Sequence, residues 1–128
     1  MKTEEIMLGD YVQVNGEVCK VISISYFDIG ISDSKEDFYH EHIDSLKPIP
    51  ITPEILGQNG FVKQAYDGWL ISENNGRRLI EYRTDSFDGL LIINYAEEPY
   101  PKISIKLMYV HELQHALRLC GINKEIKL

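Results

Sequence analysis

The sequence predicts a β-rich α+β protein, and three observations support this fold class. Short segments of alternating apolar and polar residues recur over most of the chain, and turn residues separate them. Helical periodicity is confined to a short segment after Thr52 and a longer one after Met108. The chain has 128 residues and is 44% apolar, which suffices to bury a single-domain core without cross-links.

Residues 1–51 predict an SH3-like β subdomain with short strands and tight turns. Asn15-Gly16 lies between two alternating segments and favours a type I′ hairpin turn. Residues 26–32 predict another strand, residues 33–37 a polar turn, and residues 38–51 an extended return. Together these segments predict a small barrel at the start of the chain.

Residues 52–128 predict an antiparallel meander that is followed by a C-terminal helix, and the whole chain is expected to form one compact unit. Thr52 provides a helix cap, and Gly57 and Gly60 are available to end that helix early. Turns are predicted at residues 74–76 and 85–89, and a loop at residues 96–101. The final helix is expected to end at Gly121.

The charge and the hydropathy exclude several classes of function. A net charge of −7 disfavours nucleic acid and anionic membranes as partners. No apolar stretch approaches the roughly 18 residues of a membrane span, and the N-terminus lacks the pattern of a secretory signal. The chain is therefore predicted to be cytoplasmic.

The sequence His-Glu-Leu-Gln-His at residues 111–115 is the motif with the most chemical content. His111 and His115 are four residues apart on a predicted helix, where both can bind one Zn²⁺, and Glu112 could act as the base of a zinc peptidase. A catalytic zinc needs a third protein ligand, and after His115 only Glu125 could supply one. Gly121 lies where the extended motif has a histidine. This context favours an ordinary amphipathic helix over a zinc site.

The polar side of the final helix is the predicted contact surface for a protein partner. This side carries His111, Gln114, His115 and Arg118, and it is expected to point away from the core. A second histidine pair, His40 and His42, would share one face of a strand. A histidine-rich site that joins both pairs stays open as an alternative.

Three phrases resemble a family of small uncharacterised proteins from Bacteroides-type bacteria, their phages and mobile elements. They are residues 8–12 (Leu-Gly-Asp-Tyr-Val), residues 48–56 (Pro-Ile-Pro-Ile-Thr-Pro-Glu-Ile-Leu) and residues 109–114 (Tyr-Val-His-Glu-Leu-Gln). The resemblance implies no established activity. It implies that His111 and Gln114 cap or bridge neighbouring strands. Family members usually have Asn in place of His115 and often Gln in place of Glu112, so the resemblance implies that the peptidase motif is a local coincidence.

These observations together predict a non-catalytic binding or accessory protein that acts through a protein partner and has no cofactor. The alternative is a zinc-dependent hydrolase with His111 and His115 as ligands and Glu112 as base.

Overall fold

The computed structural model describes residues 1–73, 76–84, 89–95 and 103–128. Most of the predicted turns at 74–76 and 85–89 (residues 74–75 and 85–88) and the predicted loop at 96–101 lie outside the described residues. The described part is mostly β-structure, with two antiparallel sheets and two short helices, so the α+β class is confirmed. Neither of these helices has the length and apolarity that a membrane crossing requires.

The chain divides into two compact units. Unit 1 comprises Met1–Pro50 and Tyr109–Glu125, and unit 2 comprises Ile51–Met108 and Ile126–Leu128. The predicted division after residue 51 falls next to this boundary. The predicted and the observed divisions differ in one respect. The sequence assigned the C-terminal helix to the second part, whereas in the structure it belongs to unit 1.

Unit 1 contains an open antiparallel sheet with the strand order β1-β2-β3-β4. Its strands are β1 (Tyr11–Val14), β2 (Glu17–Ser25), β3 (Asp28–Ser32) and β4 (Phe38–His42). The predicted hairpin is confirmed, since Asn15 and Gly16 connect β1 to β2 with φ values of 53° and 79°. On the outer side of β1, Gln13 exchanges two backbone hydrogen bonds of 2.9 Å with Lys47.

The core against this sheet is formed by apolar side chains from alternate positions of β1, β2 and β3, together with three from the segments that flank the strands. These residues are Ile6, Val12, Val14, Cys19, Val21, Ile29, Ile31, Ile43 and Leu46. Two short 3-10 helices, Thr3–Glu5 and Ile43–Ser45, flank the strands. The final helix of the chain, α2 (Val110–Leu119), also belongs to unit 1, and Gly121 follows it with φ 71°. The predicted helix and its glycine stop are confirmed.

Unit 2 begins with the predicted short helix, α1 (Pro53–Gln58). The Thr52 hydroxyl accepts a hydrogen bond from Ile55 N at 3.3 Å, so the predicted cap is confirmed. The second sheet has the order β5-β6-β7-β8-β9. Its strands are β5 (Val62–Lys63), β6 (Gly68–Glu73), β7 (Arg78–Arg83), β8 (Leu90–Tyr95) and β9 (Ile103–Lys106).

A buried asparagine attaches the last residues of the chain to α1. The Asn59 side chain donates hydrogen bonds of 2.8 Å to the carbonyls of Ile55 and Lys127, and it accepts one of 2.7 Å from Lys127 N. Because Asn59 is only 7% exposed, these bonds satisfy a side chain that water reaches poorly.

Candidate functional site

The predicted contact surface on α2 faces the protein interior over much of its area. His111 is only 5% exposed, and Gln114 and His115 are partly buried. Arg118 alone among the four is exposed. The prediction that the histidines point away from the core is therefore wrong. Periodicity assigned the polar side of α2 to solvent, but polar groups that precede β1 contact this side instead.

Asp10 is the main partner of the polar side of α2. Its carboxylate is fully buried, and Oδ2 lies 2.6 Å from His115 Nε2. The same oxygen accepts a hydrogen bond of 2.7 Å from Met7 N. Arg118 Nη2 lies 3.9 Å from the other carboxylate oxygen, Oδ1. Asp10 therefore connects α2 to the turn that precedes β1.

Gln114 makes a second connection between α2 and the start of β1. Its Nε2 donates to Gly9 O at 3.0 Å, and its Oε1 accepts from Tyr11 N at 2.9 Å. The amide thus pairs with backbone groups as a neighbouring strand would. The role that the family resemblance implied for Gln114, bridging to a strand, is confirmed.

His111 lies between two other rings. It stacks on Tyr109 with ring centroids 6.0 Å apart, and it meets His115 edge-on at 5.6 Å. Burial lowers the pKa of His111 below its usual value of 6.5, although the negative charge of Asp10 acts in the opposite direction. Its Nδ1 is buried and forms no hydrogen bond. Burial therefore favours the neutral form of the His111 ring.

A zinc site does not fit these side chains. His115 Nε2 is already bound to Asp10, and Glu112 Oε1 accepts a hydrogen bond of 3.0 Å from Tyr109 N at the beginning of α2. The predicted third ligand, Glu125, pairs with Lys20 at 3.9 Å. Across the described ranges, no three His, Cys, Asp or Glu side chains are arranged to hold a metal ion. Glu112 thus caps a helix here, which is a different role from that of a base.

The other histidine pair lies on β4 and has its own partners. His40 Nδ1 is 3.1 Å from Asp28 Oδ2, and His42 Nδ1 accepts a hydrogen bond of 3.1 Å from Asp44 N. The His42 ring stacks on Phe27 with centroids 5.6 Å apart. Both histidines therefore lie on an edge strand, because β4 is the last strand of the sheet.

Exposed aromatic rings surround this edge strand. Tyr26 is 87% exposed, Phe27 60% and Phe38 72%. We call the free edge of β4, together with the side chains of Tyr26, Phe27, Phe38, His40 and His42, the β4 edge surface. The alternation of a strand places Phe38, His40 and His42 on one face, and Phe27 extends this row through its contact with His42.

The backbone of β4 offers unpaired hydrogen-bonding groups to a neighbour. Asp33 N donates to Asp37 O, and Ile43 N donates to Phe27 O, at the two ends of the β3–β4 pairing. Inward hydrogen bonds alternate along an antiparallel pair, so Tyr39 and Glu41 bond to β3. Phe38, His40 and His42 therefore direct their N–H and C=O groups away from β3, and no strand among the described residues pairs with this outer edge of β4.

The turn that presents Tyr26 and Phe27 has an unusual sequence. It connects β2 to β3, and Tyr26 has a φ of 45°, a left-handed conformation that bulky residues rarely adopt. Thr3 Oγ1 donates a hydrogen bond of 2.7 Å to Tyr26 O, and Ile43 N donates one of 2.8 Å to Phe27 O. The turn is thus held from two sides while both rings remain in solvent.

The other end of the β4 edge surface is fixed by Asp33. Its Oδ1 accepts hydrogen bonds from Lys35 N at 2.9 Å and from Asp37 N at 3.0 Å, and its Oδ2 accepts one from the Tyr39 hydroxyl. The bond with Tyr39 lowers the pKa of Asp33 and raises that of Tyr39 to about 12. This loop sets the position at which Phe38 begins β4.

Comparison with protein-family models found no match, and comparisons with curated proteins and with solved structures found none either. The resemblance described above therefore stays a prediction.

The sequence contained signals for two features that the site prediction omitted. Asp10 belongs to the Leu-Gly-Asp-Tyr-Val phrase at residues 8–12, which supported only the family resemblance and no role in a site. Tyr26 and Phe27 were predicted as the start of a strand over residues 26–32, whereas the structure places them in the turn between β2 and β3, so the start of that predicted strand is wrong. Their aromatic side chains lack the usual composition of a turn, which explains the difference.

Proposed function

We propose that this chain is a non-catalytic binding protein that contacts a protein partner through the β4 edge surface. The observation that carries the proposal is the exposure of Tyr26, Phe27 and Phe38 beside an unpaired strand edge. Exposed aromatic side chains and open strand edges both favour association with other chains. Proteins usually cover or interrupt such features unless they form a binding surface. Aromatic residues are also enriched at protein interfaces.

The chemistry of α2 supports binding over catalysis. Glu112 is committed to the helix cap, and His115 is committed to Asp10. Both groups have a structural role that accounts for their positions. The proposed contact surface is therefore β4, in place of the polar side of α2.

The charge around β4 supports a protein partner over nucleic acid. Residues 26–45 carry six acidic side chains and one basic side chain, a net charge of −5 with neutral histidines. Such a surface repels a phosphate backbone. The acidic residues are Asp28, Asp33, Glu36, Asp37, Glu41 and Asp44.

We also retain the SH3-like character of unit 1 as a proposal. The meander order of β1 to β4 and the tight β1–β2 turn support it. The described strands form an open sheet and not a closed barrel. An experimental structure in which further pairing closes β1 to β4 into a barrel would establish the proposal, and one in which the sheet stays open would reject it.

The binding proposal is tested by affinity capture from the native host, with quantitative comparison of variants. The variants Phe38→Ser and Phe27→Ser should lose a partner that the natural chain captures. Leu119→Ser is the matched control, because Leu119 is an equally apolar residue of unit 1, is 83% exposed and lies outside the β4 edge surface. Equal capture by all four proteins would reject the surface.

A further inference from the structure

We infer that the β4 edge surface binds an extended basic peptide segment, which adds to the sheet as a fifth strand beside β4. This inference rests on the proposed function and names the chemistry and the binding mode of the partner. It draws on the backbone groups of β4, on the side chains at its two ends, and on the charge of the surrounding residues.

The backbone of β4 provides the first part of the argument. Phe38, His40 and His42 direct their N–H and C=O groups to the free edge, which is the pattern that an added strand requires. Three such residues span about 13 Å from first to last at 3.3 Å per residue, enough to pair with a short extended segment. The other edge strand, β1, is less available because Gln13 already pairs with Lys47.

The side chains at the two ends of β4 provide the second part. Phe38 stands at the beginning of the strand, and the stacked Phe27 and His42 rings stand at its end. A strand beside β4 would present every second side chain to this face. Apolar residues of the partner can therefore contact Phe38 at one end and Phe27 at the other.

Charge determines which segment fits. The net charge of −5 over residues 26–45 attracts lysine and arginine side chains, and it repels acidic peptides. The same charge opposes pairing of β4 with β4 of a second copy, because two acidic edges would then lie side by side. The occupant is thus a basic segment of another protein.

The test uses the complete chain and two synthetic peptides, Lys-Val-Lys-Phe-Lys-Val-Lys and Glu-Val-Glu-Phe-Glu-Val-Glu. Binding is measured by fluorescence anisotropy at low and at physiological ionic strength. We expect the lysine peptide to bind at least about tenfold more tightly than the glutamate peptide, and its affinity to fall with added salt. Hydrogen exchange of the Phe38, His40 and His42 amides should slow when the lysine peptide is bound. Equal affinities, or protection elsewhere in the chain, would overturn the inference.

A proline substitution separates backbone pairing from side-chain contact. His40→Pro removes the central outward N–H of β4 and leaves the inward bonds of Tyr39 and Glu41 to β3 in place. It should weaken binding of the lysine peptide by about tenfold or more. His40→Val is the matched comparison, since it also loses the imidazole but keeps the N–H, and it should bind the lysine peptide about tenfold or more tightly than His40→Pro. Far-UV circular dichroism verifies that both variants are folded.

The outcomes distinguish this inference from the proposed function. If Phe27→Ser and Phe38→Ser lose the native partner while His40→Pro retains it, the surface binds through side chains alone and strand addition is wrong. If size-exclusion chromatography shows a dimer that His40→Pro converts to a monomer, a second copy occupies the edge and the inference is overturned. Loss of both the peptide and the native partner in His40→Pro, with clearly tighter binding of both by His40→Val, supports it.

Discussion

Replacing Asp10 by alanine should lower the free energy of unfolding by about 3 kcal/mol. The carboxylate is fully buried, and its Oδ2 receives hydrogen bonds from Met7 N at 2.7 Å and His115 Nε2 at 2.6 Å. A hydrogen bond to a charged group contributes about 1.5 to 3 kcal/mol. Met7 is partly exposed, so water can replace the hydrogen bond that Met7 N loses. We therefore take about 1.5 kcal/mol for each of the two bonds, the lower end of the range.

The assay is urea denaturation followed by far-UV circular dichroism. Asp28→Ala is the matched control, because Asp28 and His40 form a second aspartate–histidine pair in unit 1 at 3.1 Å, with side chains that are 61% and 70% exposed. An exposed pair contributes roughly 0 to 1 kcal/mol, so this variant should remain close to the natural chain in stability. Asp10→Asn keeps an acceptor for Met7 N and should lose an intermediate amount.

Equal losses in Asp10→Ala and Asp28→Ala would refute this reasoning. Such a result would mean that burial does not distinguish the two pairs, and that α2 is held by its apolar side and by Gln114 without a contribution from the carboxylate. A loss in Asp10→Asn as large as that in Asp10→Ala would assign the effect to the His115 contact instead of the Met7 turn.

Three further substitutions test other contacts. Because burial lowers the pKa of His111 from 6.5, the unfolded chain binds a proton at this position more readily than the folded chain, so stability should fall as the pH decreases below 6.5. His111→Gln should reduce this dependence of stability on pH when denaturation is measured across pH. An unchanged dependence would contradict the assignment. Asn59→Ala removes three hydrogen bonds and should cost about 2 to 3 kcal/mol in urea denaturation, whereas the exposed Gln58→Ala should be near neutral. Tyr26→Asn should raise stability by about 1 kcal/mol, since Asn tolerates the left-handed conformation. It should also weaken binding of the lysine peptide, because the ring is removed from the β4 edge surface. A loss of stability would show that the tyrosine ring contributes to packing.

Local signals predicted the parts of the fold that depend on neighbouring residues. The Asn15-Gly16 turn, the cap at Thr52 and the stop at Gly121 were all found where the sequence indicated them. Each depends on the conformational preference of one or two residues, and distant contacts do not override it. The strands adjacent to these signals were predicted from the alternation of apolar and polar residues, which is also a local pattern.

The polar side of α2 could not be predicted from periodicity. A helical pattern separates apolar from polar residues, but it does not show whether the polar side meets water or other polar groups of the protein. Asp10 lies 105 positions before His115 in the chain, and the pairing exists only because β1 and α2 are brought together in unit 1. Burial of His111 comes with that long-range packing, whereas the capping role of Glu112 depends on its local contact with Tyr109 N.

Two of the three hairpin connections of unit 1, β1–β2 and β2–β3, differ in the backbone strain that they carry. Both turns contain a residue with positive φ, at Asn15 and at Tyr26. The first turn uses residues that adopt this conformation readily, while the second places a bulky ring there at a cost of roughly 1 to 2 kcal/mol. Neither ring of the second turn is buried enough to offset this cost, because Tyr26 and Phe27 are both exposed. Strain that the fold does not require is commonly found at sites of binding or catalysis. The Tyr26-Phe27 turn lies beside the end of β4. The outward backbone groups of β4 are not paired with any strand among the described residues.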